Sequence, residues 1–398
     1  MTDWTGNAAT TLPIDGTAAT LVGRVWDAAA GGPSVVTVRD GEAFDVSATF
    51  ATMRDVTESA DPAAAVAAAK GPSLGSVDAL LANTAADVRN ATKPWLLSPI
   101  DLQVVKAAGV TFPVSILERM IEERARGEAD AAENIRTSVL AALGGDLQGL
   151  IPGSPEAMRL KDVLIAEGLW SQYLEVGIGP DAEIFTKAPV LATVGTAIDV
   201  GIRSDSHWNN PEPEVVLLID STGRIVGATL GNDVNLRDIE GRSALLLGQA
   251  KDNNASASVG PFIRLFDDSF DLDALRNELV TLHVEGTDGF IMDAESPLAQ
   301  ISRDPADLAR QALGVRHQYP DGLALYLGTM FAPTTDRDQP GHGFTHHIDD
   351  IVRIASPRLG TLVNRVKHTE TLEPWDYGVH ALMTNLSARG LLGTTVPA

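Results

Sequence analysis

Apolar and polar positions alternate in short runs across residues 18–58, cut by glycine turns: Ala19–Val25, Ser34–Asp40 with Gly41, and Ala43–Val46. That period of two predicts a small sheet. Ala60–Pro72 is alanine-rich and predicts a helix ended by Gly71-Pro72. Composition shifts at Lys93–Pro99, which divides a small N-terminal domain (1–98) from a larger one (99–398). The period changes to helical from Val114 to Arg126. There Ile116, Leu117, Met120 and Ile121 form an apolar stripe, opposite Glu118, Arg119, Glu122 and Glu123. A second helix is predicted over Ala131–Leu143, stopped by Gly144-Gly145. A third opens at Ser154-Pro155-Glu156 and runs to about Glu167. From Glu183 onward strands dominate: Val215–Ile219, Arg224–Leu230, Leu279–Glu285, Leu323–Leu327, Ile351–Ala355 and Thr361–Val366. Helices interrupt them near Leu236–Leu247 and from Asp304-Pro305 to Leu313. No parallel βαβ alternation and no phosphate-binding glycine loop is seen, so the predicted class is α+β, mainly β.

The pattern is most informative where it breaks its own rule. Val215–Ile219 is an unbroken apolar run, as in a strand buried on both faces, yet Glu212 and Glu214 stand at its mouth. Residues two apart on a strand share a face. Asp220–Gly223 has the composition of a tight turn. With a two-residue tip at Ser221-Thr222, Glu214 lies opposite Thr229 and Glu212 opposite Gly231. Asp233 then follows on the same face, just past the hairpin's end. Three carboxylates on one face repel unless a cation sits among them. Hard oxygen ligands without a thiolate predict Mg²⁺, with Mn²⁺ or Ca²⁺ as alternatives. The bland alternative is a solvated edge hairpin.

Composition limits the partners. The chain has 398 residues, 44% of them hydrophobic, and no cysteine, which excludes thiolate sites and cysteine nucleophiles. Net charge is −23, from 53 acids and 30 bases, so no basic face offers itself to nucleic acid. No apolar run approaches a membrane span, and Met1–Asn7 does not read as a secretory signal. A cytoplasmic protein is expected.

Three stretches carry a resemblance: Glu212-Pro213-Glu214, then Gly231–Asp238, then Gln249-Ala250-Lys251 with Val259-Gly260-Pro261-Phe262. In order and spacing they resemble the fumarylacetoacetate hydrolase superfamily, over roughly Thr111–Val366. Ala182–Ala188 and Ile202–Glu214 look like its 2-keto-3-deoxy-D-arabinonate (or D-xylonate) dehydratase branch. That branch carries a glutamate, matched by Glu183, where the C–C hydrolases use histidine. The resemblance implies a mixed β-sandwich roll, with a small N-terminal α/β domain and, in this chain, a helical insertion over about 127–172. The chain departs from the pattern at Asn235, where serine is usual.

The resemblance further implies a 2-keto acid chelating Mg²⁺ and dehydrated to 2,5-dioxopentanoate, by a homodimer or homotetramer. Lys251 is a candidate base, its pKa pushed down by burial beside a cation, or a clamp for the substrate's charge; it can equally pair with Asp233 or Glu214. Glu183 is the candidate general acid/base, its alternative an exposed turn residue. Thr329 matches a turn that binds the substrate carboxylate, and Ser115 contacts substrate hydroxyls or caps the Ile116 helix. Arg203 balances substrate charge, whereas Arg237 pairs with Asp238 or Asp233. His342, His346 and His347 are expected in a solvated loop. Two other functions compete: a C–C hydrolase of an acylpyruvate, disfavoured because no histidine precedes Ser206, and a non-catalytic binder of metal and sugar acid.

Overall fold

The computed structural model describes residues 4–116, 119–120, 149–166, 168, 170–331 and 334–393. The helix expected over Ala131–Leu143, the outward half of Val114–Arg126 and the first half of the insertion lie outside these residues. The helix predicted from Ser154 is present as Pro155–Ala166, with Ser154 Oγ accepting from Ala157 N.

The fold mixes α and β around large sheets. One sheet has eleven strands. Ten of them follow the order Ser73–Ser76, Glu42–Asp45, Gly32–Arg39, Leu21–Asp27, Ala257–Leu265, Ile225–Asp233, Pro213–Ile219, Leu323–Tyr326, Val104–Gly109 and Glu183–Ala188. Trp95–Leu96 pairs beside Leu21–Asp27. The N-terminal strands therefore continue into the rest of the molecule, with Leu21 opposite Arg264. A second sheet has five strands: Ile291–Pro297, Leu279–Glu285, Ile351–Ser356, Gly360–His368 and Ile198–Ile202. A two-stranded ribbon pairs Asn209–Asn210 with Asn235–Leu236. Pairing is antiparallel except for Leu323–Tyr326 with Val104–Gly109 and Gly360–His368 with Ile198–Ile202.

Strand Pro213–Ile219 is buried along its whole length, which explains its unbroken apolar run. Val215, Leu217 and Ile219 enter a core shared with Leu282, Val284, Val352 and Ile354 of the five-stranded sheet. Val216 and Leu218 face the other way, into a core with Phe50, Met53, Val56 and Val66. Strand Ala257–Leu265 was not foreseen, because its Gly260-Pro261 reads as a break.

The carboxylate hairpin corrects the expected register. Glu214 lies opposite Gly231, not Thr229, and the chain slips once more between Leu218 and Ile219. The tip is longer than two residues. Asp220 N donates to Arg224 O (2.9 Å), and Asp220 Oδ1 accepts from Thr222 N and Arg224 N, both at 2.9 Å. Gly223 takes φ +92°, a backbone that favours glycine. Near the site the slip amounts to two residues, so parity survives and the three acids still share a face. Asp233 now stands level with Glu212, its N–H donating to Glu212 O at 3.1 Å.

The short helices expected near Leu236–Leu247 are present as three pieces: Arg237–Glu240, Ala244–Leu246 and Leu247–Lys251. No helix among the described residues is long and apolar enough to cross a membrane.

Asp220→Ala should lower stability by roughly 1–3 kcal/mol, because it leaves two turn N–H groups without their acceptor. A denaturant midpoint unchanged from wild type would contradict this account of the hairpin tip.

Candidate metal centre and acid pocket

Glu212, Glu214 and Asp233 are buried, and one oxygen from each lies within 4.8 Å of the others. The sheet delivers them. Pro213–Ile219 carries Glu214 at its start, with Glu212 just before it, and Ile225–Asp233 ends at Asp233. Gly231, opposite Glu214, leaves room for the Tyr326 ring: a Cβ there would fall 2.4 Å from Tyr326 Cε1.

Charge compensation is uneven. Lys251 ends the helix Leu247–Lys251 and pairs with Glu212 Oε2 (2.5 Å) and Asp233 Oδ2 (3.3 Å). Lys187, fully buried, pairs with Asp233 Oδ1 at 2.8 Å and donates to Val234 O and Lys251 O. Arg119 donates to Glu212 Oε1 (3.0 Å) and pairs with Glu240. Glu214 receives one backbone N–H, from Gly328 at 2.6 Å, and pairs with no lysine or arginine of the described residues. Desolvation, Asp233 and Glu212 push its carboxyl well above the usual range. A buried, crowded carboxylate lacking a cation is the observation that fits a hard divalent metal held by Glu212, Glu214 and Asp233.

The cavity over the triad is lined by the candidates Ser115, Glu183, Lys251 and Thr329. Glu183 opens the edge strand Glu183–Ala188 opposite Gly109. A Cβ on Gly109 would fall 2.3 Å from Glu183 Oε2, so glycine makes room for this carboxyl. Desolvation, then Glu240, push Glu183 up to about 7, against the pull of Arg119 and Lys251. Thr329 Oγ1 accepts from Phe331 N at 3.0 Å. Ser115 Oγ bonds back to Phe112 N and O, a helix-start arrangement at the cavity wall.

Four expectations change. Lys251 is not held below its ordinary pKa; although burial opposes it, Asp233 and Glu212 hold it protonated. It pairs with Glu212 and Asp233, not Glu214. Arg203 stands outside the cavity, where it binds Asp205 and Gln249. Beside these changes, Arg237 lines the cavity with its guanidinium 4.1 Å from the Trp208 ring centre, and Asp238 accepts from Ser206 Oγ and His207 N. The histidines are not uniformly solvated: His346 is buried, its Nδ1 3.3 Å from Asp350 Oδ2. Among the described residues the metal-like grouping is the acidic triad alone.

Sequence reasoning missed Lys187, Gly109, Glu240, Asn210 and the inward turn of Arg119. Arg119 was placed on the polar face of its helix, and its guanidinium meets Glu212.

No family model matches the chain. A 2-dehydro-3-deoxy-D-arabinonate dehydratase of Saccharolobus solfataricus is 32% identical over 188 residues, 46% of this chain and 58% of that protein. A probable 2-keto-3-deoxyxylonate dehydratase of Haloferax volcanii is 33% identical over 195 residues, 49% of this chain and 63% of that protein. The chain thus spans under two thirds of the length of these curated relatives. Among solved structures, 2-keto-3-deoxy-D-arabinonate dehydratase complexed with magnesium and 2,5-dioxopentanoate matches with a TM-score of 0.59 at 22% identity, covering 87% of this chain and 99% of its own. A fumarylacetoacetate hydrolase of Exiguobacterium antarcticum matches at 0.51 and 15% identity, covering 88% and 99%. The chain shares the fold of these solved structures, and over about half its length it resembles the two dehydratases in sequence.

Mg²⁺ should raise the melting temperature, by an amount equivalent to about 2.7 kcal/mol at a hundredfold excess over Kd. Glu214→Gln should remove most of that gain. Identical melting curves with and without Mg²⁺, Mn²⁺ or Ca²⁺ would defeat the metal assignment.

Proposed function

We propose that the protein is a Mg²⁺-dependent dehydratase of 2-dehydro-3-deoxy-D-arabinonate, or its xylonate equivalent, forming 2,5-dioxopentanoate in non-phosphorylating pentose breakdown. The observation that carries this is the juxtaposition of a buried three-carboxylate centre with a nearly half-protonated glutamate at neutral pH. The relatives' names and the magnesium- and product-bound fold neighbour support it.

Glu212, Glu214 and Asp233 would hold Mg²⁺, which when bound supplies Lewis acidity to a chelating 2-keto acid and so acidifies its C3 protons. The remaining work falls to side chains. Glu183, with a pKa of about 7, exchanges a proton at little cost near neutrality. It takes a proton from C3 and delivers it to the C4 hydroxyl, which leaves as water. Shift of the new double bond and ketonisation then turn the C5 alcohol carbon into an aldehyde. Lys251, fixed by Glu212 and Asp233, presents an ammonium rather than a free amine and acts as a clamp for substrate charge. Thr329 orients the substrate carboxylate, and Ser115 a hydroxyl. Cleavage of an acylpyruvate is the weaker reading, since no histidine of the described residues lines the cavity to activate water.

We take the enzyme to act in the cytoplasm as a homodimer or homotetramer. Its small N-terminal domain (1–98) would support a catalytic domain (99–398) that bears the insertion at about 127–172.

Purified protein with Mg²⁺ should convert the keto sugar acid to 2,5-dioxopentanoate, and excess EDTA should abolish this; full turnover in EDTA would remove the metal from the reaction. Because Glu183 starts as the carboxylate, kcat/KM should climb with pH and level off above about 7. Glu183→Gln should cost on the order of 10²–10⁴ in kcat while keeping the Mg²⁺ thermal shift. A pH-independent rate from 5 to 8 would argue against Glu183 as the proton carrier.

A further inference from the structure

We propose that Asn210 and Asn235 form a pair of hydrogen-bond acceptors that reads a hydroxyl group on the distal part of the substrate. They stand directly opposite one another on the two-stranded ribbon of Asn209–Asn210 and Asn235–Leu236. Both line the cavity that holds the carboxylate triad and Glu183. Asn210 is 2% exposed and Asn235 1%, yet among the described residues the side-chain oxygen of each has no hydrogen-bond partner.

Two buried amide oxygens without partners, on residues that line one cavity, need an explanation, because such atoms are nearly always satisfied in folded proteins. The orientation at Asn210 is fixed by its own bonding. Its Nδ2 donates to Pro211 O at 2.8 Å, a bond that a flipped amide could not make, so the oxygen is the atom left over. An unpaired acceptor calls for a donor. Among the parts of a 2-keto-3-deoxy acid, only the hydroxyls donate; the carboxylate and ketone do not. A cation would compete for the oxygens, but the three carboxylates are the stronger ligands in the same cavity.

The ribbon also explains how the pair is held. Asn209, the neighbour of Asn210, accepts from His346 N at 3.3 Å and donates to Ser206. The far end of the ribbon leads into Arg237, stacked on Trp208. Asn235 is also where the chain departs from the serine usual at that position in the family it resembles. A longer amide there reaches further into the cavity than a serine hydroxyl. A pocket with such acceptors discriminates against a ligand lacking the hydroxyl, which would leave both oxygens buried and unpaired.

This inference rests on the substrate class proposed above, so the test separates binding from turnover. The probes are 3-deoxypentonate (2,4,5-trihydroxypentanoate) and 2-hydroxypentanoate. Both keep a chelating 2-hydroxy acid, neither has the ketone needed for elimination, and only the first carries distal hydroxyls. Calorimetry with the Mg²⁺-loaded protein should give the trihydroxy acid at least about tenfold tighter binding. Asn210→Leu and Asn235→Leu should each bring the two affinities closer while leaving 2-hydroxypentanoate binding and the Mg²⁺ thermal shift unchanged. Asn235→Ser, a smaller change, should keep part of the preference. Equal affinities in wild type, failure of the trihydroxy acid to bind, or an undiminished preference in both folded leucine variants would each overturn the pair's role. If the preference holds but the keto acid is not turned over, the dehydratase reading fails and the acceptor pair stands.

Discussion

The structure is organised around the cost of bringing three carboxylates together out of water. Each would ordinarily lose several kcal/mol of hydration, and each raises the cost for the other two. Two of them are compensated from the protein: Asp233 by Lys187 and Lys251, Glu212 by Lys251 and Arg119. Glu214 is left with a single backbone donor. The asymmetry follows from position. Glu214 is the second residue of its strand, opposite Gly231, and takes its one donor from Gly328, just past the neighbouring strand Leu323–Tyr326. Glu212 and Asp233 lie at the strand ends, where loops and helices can bring cations.

The sheet has to deliver these oxygens with correct parity more than with correct register. That explains why a sequence reading with the wrong turn still found the triad. A tip assumed to hold two residues placed Glu214 against Thr229, and the true pairing is Gly231. The two-residue error moved every partner but flipped no side chain. A one-residue error would have sent Asp233 to the opposite face and dissolved the site. The apolar run Val215–Ile219, the acids at its mouth and the ordered spacing to Lys251 were likewise legible, because burial on both faces leaves a direct trace in composition.

What escaped the sequence depends on contacts between distant segments. Gly109 is an unremarkable strand-end glycine until Glu183 is found against it, 74 residues on. Lys187 lies in an edge strand whose period gives no hint that its ammonium reaches Asp233. Arg119 sat on the face of its helix taken for solvent, yet Glu212 and Glu240 meet it there. Arg203 failed in the opposite direction. It follows a strand of the other sheet, and Asp205, two residues away, captures it before it can approach the cavity. The lowered pKa expected of Lys251 counted its burial and omitted its two carboxylate neighbours, whose combined pull outweighs that burial.

The charge arrangement bears on the order in which ligands enter. Among the described residues, five acids line the cavity (Glu183, Glu212, Glu214, Asp233 and Glu240) against three bases (Arg119, Arg237 and Lys251), with Lys187 a fourth base behind Asp233. With every group ionised this local set is negative, as is the whole chain at −23, and an anionic substrate would meet repulsion. A divalent cation reverses the sign, and protonation of Glu183 carries it further positive. With all of these groups ionised, the cavity is attractive to the proposed keto-acid anion only once the metal is in place. A carboxylate that arrived first would face the acids with nothing to offset them. One that arrives second meets the positive charge that remains after the metal has offset Glu214. For the proposed substrate, metal before acid is thus the order that the electrostatics of these residues favours, and it would let a strongly acidic chain bind an acidic ligand.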